Sequence, residues 1–205
     1  MEDLRAVLFD LDGVLLDSYE AWFRVMNAAA RHFRKPDISP ERFQAGWGQG
    51  IDADVREFFP GCSMQETQDY YEEHLLDHAT QIRAEPGARD TFVRLRDAEV
   101  LRAVVTNTPV LLARDLLAWV GLIGLVDLTV GPTRGVRPKP APDTLERACA
   151  EFEIRPQQTV LVGDSEFDAQ AAAVARTHFI GYRFKAARSV QHLPEVADLV
   201  ARAAR

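Results

Sequence analysis

Ala6-Val7-Leu8-Phe9-Asp10-Leu11-Asp12-Gly13 decides how the rest of the chain is read. Its first four residues form an uninterrupted apolar run behind a charged start. A run that short and apolar at every position fits a strand covered on both faces, as in a parallel sheet. It stops in two carboxylates two residues apart, which leave a strand toward the same side, and Gly13 permits a tight turn beside them. Similar runs recur at 101–105 (with Arg102 inside), 126–130 and 159–162, with a weaker one at 177–181. Helix-length stretches separate them at 88–98, 110–120, 142–152 and 168–176, and the tail 195–205 reads as an amphipathic helix. Strands alternating with helices at this spacing predict an α/β fold with a doubly wound parallel sheet.

One region breaks the alternation. Residues 17–83 hold no convincing strand but several helical patterns: Trp22, Val25, Met26, Ala29 and Phe33 form one stripe, and 65–82 is a second candidate helix. Pro36, Pro40 and Gly46-Trp47-Gly48-Gln49-Gly50 punctuate it. The expected organisation is a core domain made of 1–16 and 84–205, with an all-helical domain, 17–83, inserted after the first strand.

Composition narrows the classes. Of 205 residues, 47% are hydrophobic and 27% charged, as in a globular protein rather than a disordered one. The net charge of −7 without a Lys/Arg block gives no reason to expect nucleic acid. No apolar run approaches the roughly 20 residues of a membrane span. Two cysteines, Cys62 and Cys149, imply no disulfide framework. With Glu2 and Asp3 where a secretory signal would be basic, the expected location is the cytoplasm.

Ligands of open parallel sheets sit beyond the carboxyl ends of the strands, so the residues just after each apolar run matter most. The first run leads to Asp10, Asp12 and Gly13, and the second to Thr106-Asn107-Thr108, whose hydroxyls, amide and N–H groups suit an anion. The third leads to Lys139, with prolines on both sides that restrict its backbone, and the fourth to Asp164 and Asp168, read as one helical turn apart. Singly, each has an ordinary reading: a turn, a loop, a solvated lysine, a helix cap at Asp164. Together they fall at consecutive strand ends. Carboxylates converging there repel by roughly 4 kcal/mol per close pair at an effective dielectric of 20. Lys139 alone cannot balance them, so an all-oxygen set of this kind calls for a hard cation such as Mg²⁺. The loaded site would attract phosphate, which points to phosphoryl transfer.

The string FDLDGVLLDS (9–18) resembles the first motif of the haloacid dehalogenase (HAD) superfamily, Val105-Thr106-Asn107 its second, Lys139 in KPAPD its third and GDSEFD (163–168) its fourth. The resemblance spans 5 to about 183 with the motifs in order, and the downstream half is most similar to phosphoglycolate phosphatases. It implies a Rossmann-like core, a mobile cap made by the insert, and a Mg²⁺-dependent phosphatase of small phosphorylated metabolites, of phosphoglycolate or sugar phosphate type. It implies Asp10 as nucleophile through an aspartyl-phosphate, and Asp12 as acid and base. Thr106, Lys139 and the backbone N–H of Asn107 would hold the phosphoryl group. Asp10, the carbonyl of Asp12, and Asp164 would hold the metal, with Gly13 and Asp168 in support.

The dehalogenase branch lacks the second acid of the first motif, so Asp12 argues against it. The hexose-phosphate mutase branch carries a histidine where this chain has Tyr19, Glu20, Ala21 and Trp22. A phosphomutase is therefore the first alternative, and a non-catalytic phosphate-binding protein the second. The expected partner is a small phosphorylated substrate, with the chain a monomer or weak homodimer. Trp47 and Gln49 are candidate substrate contacts, because their Gly-rich segment resembles the cap loop of the same enzymes. The His74 to His78 pair is a poor zinc motif, and Arg24, Arg31, Arg34 and Lys35 read as a solvated face.

Overall fold

The structure is a computed structural model and describes residues 3–203. Strand β1 (Ala6–Phe9) is followed by a two-residue strand β2 (Leu16–Asp17), then helices α1 (Tyr19–His32), α2 (Pro40–Ala45), α3 (Ile51–Glu57) and α4 (Met64–His74). A 3₁₀ segment, Leu75–Gln81, leads to the short strand β3 (Arg83–Ala84). Then come α5 (Ala88–Asp97), β4 (Leu101–Val105), α6 (Val110–Trp119), β5 (Leu128–Val130), α7 (Asp143–Glu151), β6 (Thr159–Gly163), α8 (Glu166–Ala175), β7 (His178–Tyr182), β8 (Ser189–Val190) and α9 (Pro194–Ala203).

Among the described residues, the main sheet has the order β5-β4-β1-β6-β7-β8, and every pairing in it is parallel. The chain winds outward from β1 through β4 to β5, then returns to the other side of β1 with β6. This reversal at β1 is the switch point where a crevice opens at the carboxyl ends of the strands. All four residues of β1 are fully buried. Val7 and Phe9 join the apolar layer that contains Phe92, Leu116 and Val196, while Leu8 faces Leu145, Ala148 and Ala171 on the opposite side. That two-sided burial is why the run carries no polar residue.

Several boundaries differ from the sequence-based expectation. The region 17–83 does have strand at its ends: Leu16 pairs with Ala84 and Asp17 with Arg83, antiparallel, so the chain leaves and re-enters the sheet domain through one narrow ribbon. Two-residue strands carry too little alternation to be seen as periodicity. The single helix expected over 65–82 stops at His74 and tightens to 3₁₀, with Leu75 and Ala79 buried and His78 off helical geometry. The strand in the run 126–130 starts at Leu128; just before it the Asp127 N–H donates to the Arg102 carbonyl (2.9 Å), and the Asp127 carboxylate accepts from the Arg102 guanidinium (2.6 Å) and backbone N–H (2.8 Å). This ion pair also explains a charge inside β4. The last two strands are shifted or unforeseen: β7 ends at Tyr182, and β8 adds an edge. The tail helix begins at Pro194, and 204–205 lie outside the described residues.

Candidate active site

Asp10 follows β1 directly and extends its ladder by one bond, its N–H donating to the Val162 carbonyl (2.9 Å). It therefore stands at the sheet rim between β4 and β6. The carboxylate is 6% exposed, and Lys139 Nζ donates to its Oδ1 at 2.7 Å. The same ammonium donates to Asp168 Oδ1 (2.6 Å) and to the Val105 carbonyl (3.0 Å), which uses all three of its protons. Burial works against the charge on Lys139, but Asp10 and Asp168 outweigh it and hold its pKa above the usual lysine value. For Asp10 the balance runs the other way: burial pushes its pKa well up, against the pull of Lys139.

Lys139 lies in the loop between β5 and α7, and Asn107 holds it there. The Asn107 Oδ1 accepts from the Lys139 N–H (2.7 Å), and its Nδ2 donates to the Lys139 carbonyl (3.0 Å) and to the Gly48 carbonyl (2.9 Å). The Asn107 side chain is thus committed to positioning the lysine, and only its backbone N–H is left to face a ligand. Thr106, 1% exposed, accepts at Oγ1 from the Thr108 N–H (3.0 Å) and keeps its own hydroxyl proton to donate.

Asp164 does not cap the following helix. Ser165 is the cap residue of α8, and Asp168, three residues on, completes a reciprocal capping box with it. The helix begins at Glu166 rather than at 168, so Asp164 precedes it, and the expected one-turn stacking of Asp164 and Asp168 is replaced by convergence from the cap. Carboxylate oxygens of Asp10, Asp164 and Asp168 lie within 4.8 Å of one another, the sole such acidic group among the described residues. Burial and the neighbouring Asp168 push Asp164 up to about 7, against a hydrogen bond from Trp47 and the charge of Lys139. Gly13, at φ +82°, packs so close to the Asp164 carboxylate that a Cβ there would overlap it. Three carboxylates against one ammonium, with oxygen donors only, fit a hard divalent cation.

Asp12 points elsewhere. Its Oδ1 accepts from Ser18 Oγ (2.6 Å) and Trp22 Nε1 (2.9 Å), and its Oδ2 from Thr108 Oγ1 (2.7 Å). Nothing in the sequence marks Ser18 or Thr108 for this role, and Trp22 shows there only as part of a core stripe. Asp12 lines a cleft together with Asp10, Thr106, Asn107 and Thr108 on the sheet side and Trp47, Gln49 and Asp54 on the inserted side. The cleft encloses about 580 Å³ of space, part of it open to solvent. Trp47 donates to Asp164 Oδ2 (3.3 Å), and Gln49 Nε2 to Asp54 Oδ1 (2.8 Å). Asp54 carries no signal in the sequence, where it is one acid of a short helical stretch; only its burial singles it out.

Acids, a threonine and a buried lysine thus gather at the switch point of a parallel sheet, beside a helical insert. Residues 7–182 match the family model of Haloacid dehalogenase-like hydrolases, and the chain belongs to that family. It is 32% identical over 187 residues to the phosphoglycolate phosphatase of Chromobacterium violaceum, covering 85% of this chain and 83% of that one. It is 29% identical over 190 residues to the N-acetylmuramic acid 6-phosphate phosphatase of Pseudomonas aeruginosa, covering 88% and 82%. The fold is shared with CbbY of Rhodobacter sphaeroides, solved in complex with phosphate, at a TM-score of 0.81 and 20% identity over 94% of this chain and 96% of that one. No helix among the described residues is long and apolar enough to cross a membrane.

Proposed function

We propose that the protein is a Mg²⁺-dependent phosphatase of small phosphorylated metabolites, in which residues 17–83 act as a cap domain over a core of 1–16 and 84–205. The observation that carries the reading is the convergence of Asp10, Asp164 and Asp168 at the sheet's switch point, with Lys139 bonded to the first and last of them. The names of the relatives, phosphoglycolate phosphatase and N-acetylmuramic acid 6-phosphate phosphatase, support the reaction type.

Asp10, the backbone carbonyl of Asp12, and Asp164 would hold Mg²⁺, which when bound supplies charge neutralisation for the incoming phosphate and the attacking carboxylate. Thr106 Oγ1 and the Asn107 N–H donate to phosphoryl oxygens, and Lys139 fixes Asp10 through its Oδ1. The free Asp10 oxygen attacks phosphorus, the bond to the leaving oxygen breaks, and Asp12 delivers a proton to the departing alkoxide. In the second half, Asp12 takes a proton from water, the water oxygen attacks phosphorus, and the aspartyl–phosphate bond breaks to return the Asp10 carboxylate and inorganic phosphate. Ser18, Trp22 and Thr108 aim Asp12 for both transfers, and the aromatic insert shields the site from bulk water.

Turnover of p-nitrophenyl phosphate with and without Mg²⁺, beside Asp10→Asn, tests the reading. Metal-dependent phosphate release that vanishes in the variant is expected. Metal-independent turnover, or an unaffected variant, would remove it, and isomerised sugar phosphate in place of free phosphate would establish the phosphomutase alternative.

A further inference from the structure

The insert contributes a polar cluster to the cleft that the phosphoryl chemistry does not use. Asp54 lines the cleft from α3 and is 6% exposed. Gln49 Nε2 donates to one of its oxygens (2.8 Å) and the Tyr71 hydroxyl to the other (3.2 Å). No cation pairs with it among the described residues; the charged groups that act on it, Glu57 and Asp52, are acids that are themselves paired with Arg42 (3.9 Å) and Arg56 (2.8 Å). None of the residues lining the cleft is Lys, Arg or His. Around the cluster, Trp22, Phe43, Trp47 and Phe58 form an aromatic wall.

These features constrain what leaves with the phosphate oxygen. A leaving group with its own carboxylate would meet a buried acid and no basic side chain lining the cleft to receive it. Burying a charge without a charged partner is strongly unfavourable, so such a group loses its hydration with no cation lining the cleft to replace it. The Tyr71 proton and one Gln49 amide proton are spent on Asp54, which leaves the second Gln49 N–H to donate and the Gln49, Tyr71 and Asp54 oxygens to accept. That set suits hydroxyls, and an aromatic wall suits the C–H face of a sugar or polyol.

We propose that Asp54, oriented by Gln49 and Tyr71, is a specificity-determining residue that selects phosphorylated sugars or polyols without a carboxylate and disfavours phosphoglycolate. This assignment rests on the phosphatase reading and narrows it.

The test compares kcat/KM for glucose 6-phosphate, glycerol phosphate, phosphoglycolate and phosphoethanolamine in the Mg²⁺-loaded wild type, Asp54→Asn and Tyr71→Phe. In the wild type, the better of the two polyol phosphates should exceed phosphoglycolate at least tenfold. Asp54→Asn should shrink that ratio at least fivefold, chiefly by improving phosphoglycolate, and Tyr71→Phe should change it in the same direction. The wild-type ratio stands even if a variant fails to fold. Phosphoglycolate equal to or better than the polyol phosphates would overturn the inference, as would phosphoethanolamine as the best substrate or a folded Asp54→Asn variant with an unchanged ratio. Absence of any Mg²⁺-dependent p-nitrophenyl phosphate turnover in the wild type would instead mark failure of the phosphatase reading itself.

Discussion

Trp47, in the turn between α2 and α3, donates its indole N–H to the Asp164 carboxylate on the sheet rim at 3.3 Å, across 117 residues of sequence. The ring is held from behind by Tyr19 and Phe43, with centroids at 4.9 and 5.6 Å, so the donor is fixed rather than swinging. This contact ties the insert to the acidic cluster. Trp47→Phe keeps an aromatic ring and removes only the donor. A hydrogen bond to a charged group contributes about 1.5–3 kcal/mol, less here because the distance is long. KM for a phosphorylated substrate should rise about 5–10-fold with kcat changed less than threefold, read by steady-state kinetics. An unchanged KM would mean that the contact plays no part in closing the site.

Among the described residues, Lys139 is the sole cation that Asp10 and Asp168 contact, and it is 2% exposed. Removing one partner of a buried pair leaves an uncompensated charge and costs about 3–5 kcal/mol. Lys139→Met, similar in length but neutral, should lower the metal-free melting temperature by roughly 10 °C for a chain of this size. Adding Asp168→Asn should restore part of the loss, because one of the two stranded acids becomes neutral. Calorimetry in the presence of a chelator measures both. A Lys139→Met protein as stable as wild type would show that the two acids share a proton without help.

Asp12 receives three donors, two on one oxygen, and none of them is a basic side chain. Thr108→Val preserves shape and removes the donor to Oδ2. Without that aim the proton transfers are misplaced, and kcat should fall about 10–100-fold with KM nearly constant. Asp12→Asn should lose turnover far more completely, yet retain Mg²⁺ binding in a calorimetric titration, since its assigned metal contact is a backbone carbonyl. Abolished binding in that variant would contradict the assignment.

The sheet was legible because its strands are buried on both faces, which leaves uninterrupted apolar runs such as 6–9 and 159–162 as the signature. The groups after those runs were legible for the same reason: the topology directs Asp10, Thr106 and Asp164 to one rim whatever the loops do. The features that stayed hidden depend on contacts between distant segments. The β2–β3 ribbon is two residues per strand and exists only as a pair. Asn107 reads as an anion donor until Lys139, 32 residues on, is seen to occupy its amide. Trp22 lies on the buried stripe of α1, and nothing in periodicity reveals that its N–H serves Asp12. Asp54 resembles any surface acid of a helix until Tyr71 and Gln49 close over it.

Asp54 also leaves a mark on stability that is separate from substrate choice. Burial is the largest influence on it; the Gln49 and Tyr71 hydrogen bonds favour the ionised form, Glu57 and Asp52 oppose it, and the outcome is a pKa raised from 3.8 to about 7. In the unfolded chain the group would lose its proton near 4. Between about pH 4 and 7 the native state therefore binds more protons than the unfolded state, and stability falls as pH rises through that window. Asn at this position carries no charge at any pH and should remove the slope. Unfolding free energies from urea titrations at fixed Mg²⁺ should thus diverge, Asp54→Asn gaining on wild type by up to about 4 kcal/mol from pH 4 to 7. Above pH 7 the difference should level off. A difference that stays flat across the window would mean that Asp54 is ionised throughout, stabilised by a partner that its hydrogen bonds do not reveal.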